Sequence, residues 1–275
     1  MNAKELTLRI VPLSDVVLHE KVELRRVENL VEHLRADRFL KNPPIVAQFD
    51  SKYVVLDGAT RVTALEKIGC RDAAVQVVDY DAPDIILETW NHMLLDSGLQ
   101  TLFEAWGRLP GLRIEATALD NALQSLDQRE SIAAVLLADG QVFAMGAKDE
   151  ALEQQARLLN RVVEAYEGSG ELYRVAHTDV ERLLAEHGRL SALIVFPRYR
   201  RDEIRKLALG GSKLPMGVTR HIIPGRALRI NCPLEILESD RPLGEKNAWL
   251  DQWIQDKMLE RHIRYYQEPV FLFDE

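Results

Sequence analysis

The chain has 275 residues, of which 47% are hydrophobic and 28% charged, and this composition is typical of a globular protein with one or two domains. A net charge of −8 excludes an overall positive field that would draw the chain to nucleic acid or to an anionic membrane. No apolar run approaches the roughly 20 residues that span a bilayer, and the N-terminus does not resemble a signal peptide.

The two cysteines give little sign of metal binding or of a disulfide framework. Cys70 and Cys232 lie far apart in the sequence, and neither belongs to a cluster with zinc-type spacing. We therefore expect free thiols, as in a cytoplasmic protein.

Residues 1–92 predict a compact α/β unit. Alternation of polar and apolar residues favours strands at 5–11 and 73–81, and two helices lie between them. The apolar helical faces are formed by Val27, Leu30, Val31 and Leu34 in the first helix and by Val62, Leu65 and Ile68 in the second. Two prolines make the segment 42–50 extended, Asp50-Ser51-Lys52 predicts a hairpin turn, and Gly69 ends the second helix.

Residues 93–275 predict a second α/β domain, because helical and extended segments alternate from Ser97 to the apolar strand "LSALIVFP". A Gly- and Pro-rich break at 209–217 is either a lid or a plain connection. The segment 217–231 and a C-terminal helix follow. That helix carries an apolar stripe that favours core packing, formed by Leu250, Trp253, Ile254 and Met258.

The stretch "VVLDGATRVTALEKIG" at 54–69 is the best candidate for a binding site, since the common phosphate-loop, metalloprotease, calcium and hydrolase motifs are absent. Its turn, Asp57–Arg61, joins a strand to a helix whose first N–H groups lack intrahelical partners. Gly58 permits close backbone approach, Thr60 offers a cap or a hydroxyl donor, and Arg61 offers a fork of donors to phosphate. Asp57 suits a magnesium ion or a ribose. The alternative is an ordinary turn with an exposed arginine.

This stretch resembles the signature turn of the ParB/sulfiredoxin superfamily, a Gly-x-His-Arg-like sequence followed by a helix, with Arg61 and Ala64 matching. Four segments further resemble the free L-serine kinases of that superfamily. They are "LHE" at 18–20, "NPPIV" at 42–46, "ETWNHM" at 88–93 and "GVTRHIIPGRALRIN" at 217–231. The resemblance covers most of the chain.

The resemblance implies a ParB/sulfiredoxin-like nucleotide-binding domain over 1–92 and transfer of a phosphoryl group from ATP or ADP, with Mg²⁺, to the hydroxyl of free L-serine. The product, O-phospho-L-serine, would serve siderophore or amino-acid biosynthesis. Glu20 matches the family's essential carboxylate and is the expected base. Otherwise Glu20 is a first-turn carboxylate of the helix beginning near Val22, where Glu23 is a weaker second acid.

The other implied site residues fall into two groups, while metal ligands are not assigned. Asp57 is a second catalytic residue, and the phosphate-binding group is Asp57, Gly58, Ala59, Thr60 and Arg61. The substrate-binding group is Trp90, His92, Thr219, Arg220 and His221. On the residues alone, a buried core position is the alternative for Trp90. Arg226 either adds a carboxylate or phosphate contact or is merely exposed.

The chain departs from the family at the turn, where Ala59 and Thr60 stand in place of two histidines. A histidine next to phosphates supplies a charge-assisted hydrogen bond, and threonine supplies only a neutral one. Sulfiredoxin chemistry is excluded because the turn has no cysteine. A second hypothesis is a ParB-like, ligand-responsive transcriptional regulator without turnover, although the basic run 198–206 is interrupted by Asp202 and Glu203. Free L-serine and a nucleotide are the expected partners, DNA is not favoured, and a homodimer stays open.

Overall fold

The computed structural model describes residues 6–147, 151–168 and 170–265. Contacts divide the described chain into two compact units: unit 1 contains 6–18, 22–86 and 222–265, and unit 2 contains 19–21 and 87–221. Both units combine helices and sheets, which confirms the predicted mixed α/β class. No helix in these ranges combines the length and the apolar character that crossing a membrane requires.

Unit 1 is built around a mixed five-stranded sheet. Its elements are β1 (Leu8–Pro12), a 3-10 turn (Leu13–Asp15), β2 (Val16–Leu18), α1 (Leu24–Asp37), β3 (Phe39–Leu40), β4 (Ile45–Phe49), β5 (Lys52–Asp57), α2 (Ala59–Ile68), β6 (Asp72–Val78), β15 (Cys232–Pro233), α8 (Leu234–Glu238) and α9 (Leu243–Leu259). The strand order is β1-β6-β4-β5-β2, with β1–β6 and β4–β5 antiparallel and β4–β6 and β2–β5 parallel. A separate pair joins β15 to β3.

Several local predictions for unit 1 are confirmed. The hairpin β4–β5 turns at Asp50-Ser51, and α2 ends at Gly69, whose φ of +88° is the left-handed conformation that glycine adopts without strain. The first predicted strand begins three residues later than expected, at Leu8, and Glu5 lies outside the described residues. The apolar faces of α1 and α2 pack together into the core of this unit.

The sequence placed all of 93–275 in the second domain, but the C-terminal segment from residue 222 groups with unit 1. The Nζ of Lys246 donates to Asp72 Oδ2 at 2.5 Å, and Asn247 exchanges two 2.9 Å hydrogen bonds with the backbone of Ile10. These contacts fix α9 against β1. Leu250 lies in the core, Trp253 and Ile254 pack against it, and Met258 is exposed.

Unit 2 contains a six-stranded antiparallel sheet between two helical layers. Its elements are β7 (Ile86–Thr89), β8 (Asn91–Leu95), α3 (Leu99–Gly107), β9 (Leu112–Ala116), α4 (Leu119–Asp127), β10 (Ser131–Leu137), β11 (Val142–Ala147), α5 (Leu152–Glu164), β12 (Glu171–Val175), α6 (Val180–His187), β13 (Ala192–Val195), α7 (Arg201–Leu209) and β14 (Thr219–Ile222). The strand order is β12-β8-β13-β10-β11-β9, and β14 pairs with β7 outside this sheet.

The alternation of strand side chains explains the two layers of unit 2. Residues such as Leu94 and Val135 join a cluster with α3, α5 and α7, whereas Met93 and Leu136 face α4 and α6. Every residue of β8, β10 and β13 is buried. A strand covered on both faces shows continuous apolar character, as in the predicted strand "LSALIVFP", which contains β13.

Candidate active site

The turn Asp57–Arg61 in unit 1, here called the phosphate turn, presents the start of a helix. Gly58 is the N-cap residue of α2, with a φ of +97°, and no side chain caps the helix. The first hydrogen bond closing the helix runs from Val62 N to Gly58 O, 3.1 Å. The preceding N–H groups of Ala59, Thr60 and Arg61 therefore lie at the positive end of the helix dipole, where anions are stabilised. Thr60 lies inside the first turn, so it is not the cap.

Arg61 braces this turn from within the protein. Its Nη1 donates to the carbonyl oxygens of Asn42 at 3.1 Å and Pro43 at 2.7 Å, and its Nη2 donates to Asp57 Oδ2 at 2.7 Å. The guanidinium also lies over Gly58, because a Cβ at that glycine would stand 3.0 Å from its atoms. Three donors of Arg61 are therefore used to shape the turn, and fewer remain for a phosphate than expected from the sequence.

Arg226, which the sequence left as either a carboxylate or phosphate contact or an exposed residue, brings a second cation to the phosphate turn. Its Nη1 lies 3.5 Å from Asp57 Oδ2, and its side chain is 39% exposed against 23% for Arg61. Buried Gln76 holds the surrounding loop by donating to Gly225 O at 3.0 Å and accepting from Ala227 N at 2.8 Å. Since Arg226 is 169 residues from Asp57 in the chain, no local pattern indicates this proximity.

The fit of a magnesium ion depends on Asp57. The described ranges contain no group of three or more His, Cys, Asp or Glu side chains able to hold a metal. The hydrogen bond and ion pairs of Asp57 use Oδ2, which leaves Oδ1 available on a partly exposed carboxylate. Magnesium is commonly held by one or two carboxylates together with substrate phosphates, so Asp57 fits an ion shared with a nucleotide.

In unit 2, Glu20 is held by a cluster of donors from a distant part of the chain. Its Oε2 accepts from Gly217 N at 2.9 Å, and its Oε1 accepts from Val218 N at 3.2 Å, Thr219 N at 2.6 Å and Thr219 Oγ1 at 2.6 Å. The side chain is 14% exposed. Glu20 is therefore a fixed, nearly buried carboxylate and not a solvated residue at a helix start.

The Gly- and Pro-rich break before this cluster is a connection with defined contacts. Leu214 pairs with the backbone of residues 19–21, through Leu214 N to His19 O at 2.8 Å and Lys21 N to Leu214 O at 2.9 Å. Asn160 Nδ2 donates to Lys213 O at 2.7 Å. These bonds set the backbone that presents three consecutive N–H groups to Glu20.

Two observations show why position 217 requires glycine. Its φ is +69°, and a Cβ there would lie 2.1–2.6 Å from the guanidinium atoms of Arg174. Any other residue would be strained and would displace Arg174.

His92 lies in the core of unit 2 with 1% exposure, which differs from the substrate contact expected from the sequence. Its Nδ1 lies 2.8 Å from Tyr166 Oη and its Nε2 lies 3.2 Å from Gly217 O. Because a carbonyl only accepts, Nε2 carries the proton and Nδ1 accepts from Tyr166. Burial lowers the pKa of His92 from 6.5 to about 4, and Arg174 adds to this, although the hydrogen bond to Gly217 opposes it.

In unit 2, Arg220 contacts both Trp90 and Glu88. The guanidinium of Arg220 lies 4.4 Å from the centre of the Trp90 ring, and its Nη1 donates to Glu88 Oε2 at 3.1 Å. The backbone N of Trp90 donates to Val218 O at 2.9 Å. Trp90 is partly buried and supports Arg220, so it is not simply a core side chain.

His221 and His19 complete the surroundings of Glu20. Their rings meet edge to face with centroids 5.4 Å apart, and both are buried. His19 Nε2 lies 2.7 Å from Thr219 Oγ1 and 3.9 Å from Glu20 Oε1. The structure thus brings Glu20, Thr219 and His221 together within unit 2. The sequence signal for His19 was its place in the "LHE" segment.

Comparisons with known proteins agree with this architecture. No family model matches the chain. The ATP-dependent L-serine kinase SbnI of Staphylococcus aureus is 26% identical over 276 residues, which cover 100% of both chains. The ADP-dependent L-serine kinase SerK of Thermococcus kodakarensis is 22% identical over 236 residues, covering 85% of this chain and 94% of SerK.

Solved structures show the same fold. A free serine kinase in complex with AMP has a TM-score of 0.71 at 21% identity and covers 84% of this chain and 93% of its own. The chain therefore has the fold of the free serine kinases. It is a homologue of SbnI, whose C-terminally truncated structure has a TM-score of 0.70 at 26% identity, covering 91% of this chain and 97% of that one. The family resemblance drawn from the sequence is confirmed.

Proposed function

We propose that the protein is a free L-serine kinase that transfers a phosphoryl group from ATP or ADP to the serine hydroxyl and releases O-phospho-L-serine. The observation that carries the proposal is the Glu20 carboxylate, held by four donors in a chain homologous to SbnI over its full length. Phosphoryl transfer requires an oriented hydroxyl and stabilised phosphate charge more than covalent help from the protein. A rigid carboxylate supplies the first requirement.

Glu20 acts as the general base through Oε2. Oε1 accepts three hydrogen bonds, whereas Oε2 accepts one and retains a lone pair. That lone pair takes the proton of the serine hydroxyl as its oxygen bonds to phosphorus. The bond from phosphorus to the bridging oxygen breaks, and ADP leaves when ATP is the donor, or AMP when ADP is the donor.

The phosphate turn binds the nucleotide in this proposal. The N–H groups of Ala59, Thr60 and Arg61 bind the anion, Arg226 supplies an exposed cation, and Asp57 would hold Mg²⁺ together with the nucleotide phosphates. Such an ion would neutralise developing charge on the transferred phosphate. With Thr60 in place of a histidine, the turn supplies a weaker donor, so we expect slower turnover than in a variant that carries Thr60→His.

Serine recognition falls to the polar residues of unit 2. Arg220 lies over the Trp90 ring and is suited to the serine carboxylate, and Thr219 and His221 lie near Glu20. His92 has no part in contacting serine in this proposal, because both of its ring nitrogens are used inside the core. It positions Gly217 instead.

The regulator without turnover has weaker support. The basic run 198–206 leads into α7 and includes the first six residues of that helix; Arg200 pairs with Asp202 and Glu203, and Lys206 pairs with Glu153. Charges neutralised within the protein attract phosphate backbones weakly. A cytoplasmic location, a homodimer and a siderophore pathway stay predictions from the sequence.

The proposal is tested by incubating the purified protein with L-serine, Mg²⁺ and either ATP or ADP, and following O-phospho-L-serine by phosphorus NMR. We expect product with at least one nucleotide and a loss of at least about 100-fold in kcat for Glu20→Gln. Glu23→Gln is the matched control, since Glu23 is a partly exposed acid three residues after Glu20 and is paired with Arg26. Absence of product with both nucleotides refutes the kinase.

A further inference from the structure

The hydrogen bond between His19 and Thr219 determines the proton positions around Glu20. Thr219 Oγ1 has one proton and lies 2.6 Å from Glu20 Oε1 and 2.7 Å from His19 Nε2. A carboxylate only accepts, so the hydroxyl proton points to Oε1. The hydroxyl oxygen must then accept from His19, and Nε2 carries a proton.

Other contacts fix the His19 ring in this orientation. The ring is 5% exposed and meets the His221 ring edge to face at an interplanar angle of 87°. The backbone carbonyl of His19 accepts from Leu214 N at 2.8 Å. The ring nitrogen therefore faces Thr219 without needing rearrangement.

We propose that His19 is a positioning residue for Glu20, acting through Thr219. The proposal rests on the kinase function proposed above. By donating to Thr219 Oγ1, His19 keeps the hydroxyl proton of Thr219 directed at Oε1, which then accepts three hydrogen bonds and has no capacity left for a substrate. Oε2 is left as the only basic oxygen. His19 thus determines, through Thr219, which oxygen of Glu20 receives the serine proton.

The donor role separates two substitutions at this position. His19→Leu removes the donor and frees the Thr219 hydroxyl to turn, and we expect kcat to fall about tenfold with little change in the KM for nucleotide. His19→Gln places an amide N–H near the position of Nε2 and should recover most of that loss. His33→Leu, at an exposed position of α1, is the control for a general effect of losing a histidine.

A double-mutant cycle tests whether His19 acts through Thr219. Thr219→Val alone removes the hydroxyl, and adding His19→Leu to it should cause little further loss of kcat, since both changes break one path. If the double variant lost kcat by the product of the two single losses, the proposal would be overturned. Equal activity of His19→Leu and His19→Gln would overturn it as well.

Two further readings keep the outcomes distinct. Nitrogen-15 NMR of histidine-labelled wild-type protein should show His19 protonated at Nε2, and a deprotonated Nε2 overturns the proposal even if the leucine variant does not fold. A wild type that forms no O-phospho-L-serine refutes the kinase and His19 positioning together. An active wild type matched by His19→Leu refutes the His19 proposal alone.

Discussion

Acidification should weaken unit 2 through His92. The folded pKa of His92 lies near 4, below the ordinary value of 6.5, so the unfolded chain binds this proton more tightly than the folded chain. The neutral form stabilises the fold fully above pH 6.5, and that contribution falls as the pH drops toward 4. The complete shift corresponds to about 3 kcal/mol, and about 2 kcal/mol of it is lost by about pH 5.

His92→Gln isolates this effect. At about pH 8 the variant should be less stable than the wild type by about 1–3 kcal/mol, because the buried hydrogen bond from Tyr166 to His92 Nδ1 is lost. At about pH 5 the gap should narrow by about 2 kcal/mol, since glutamine does not titrate. Urea unfolding followed by circular dichroism at both pH values measures the gap, and His33→Gln serves as the exposed control. A gap that is independent of pH refutes the reasoning.

Three other substitutions probe separate parts of the molecule. Gly217→Ala should lower kcat about tenfold or more without changing nucleotide Kd, because the new Cβ meets Arg174 and shifts the Gly217 N–H that donates to Glu20. The kinetic control is Gly244→Ala, because a Cβ at Gly244 would have nothing within 4 Å. Arg226→Ala should raise nucleotide Kd about tenfold in a fluorescence titration, whereas Arg241→Ala, at an exposed position, should leave Kd unchanged. Equal nucleotide affinities of the two variants would show that Arg226 does not contribute to nucleotide binding. Lys246→Met should lower the free energy of unfolding in urea by about 3 kcal/mol, because it removes the buried cation that pairs with the Asp72 carboxylate. A loss of stability no larger than that caused by Lys257→Met would contradict this.

The sequence predicted features that depend on neighbouring residues. The hairpin at Asp50-Ser51, the end of α2 at Gly69 and the strand-to-helix position of the phosphate turn all follow from local turn and cap chemistry. The importance of Glu20 came from the family resemblance, because nothing local distinguishes its carboxylate from that of Glu23.

Features that depend on distant contacts were missed. The donors to Glu20 lie 197–199 residues away, and the contacts that return α9 to unit 1 span 174 and 237 residues. The family resemblance assigned His92 to the substrate-binding group through the segment "ETWNHM". Its neighbours in β8 are all buried, and in a strand covered on both faces a polar side chain gains partners inside the core.

The discontinuous make-up of the two units has a consequence for synthesis on the ribosome. Residues 87–221 form most of unit 2 as one uninterrupted stretch and are able to fold as soon as they emerge, needing only the short segment 19–21 from earlier in the chain. Unit 1 cannot be completed until α9 has been synthesised, because Ile10 and Asp72 form hydrogen bonds with Asn247 and Lys246 of that helix. The strands within 6–86 are therefore made before unit 2 but are completed after it, so their edges stay open to aggregation for longer.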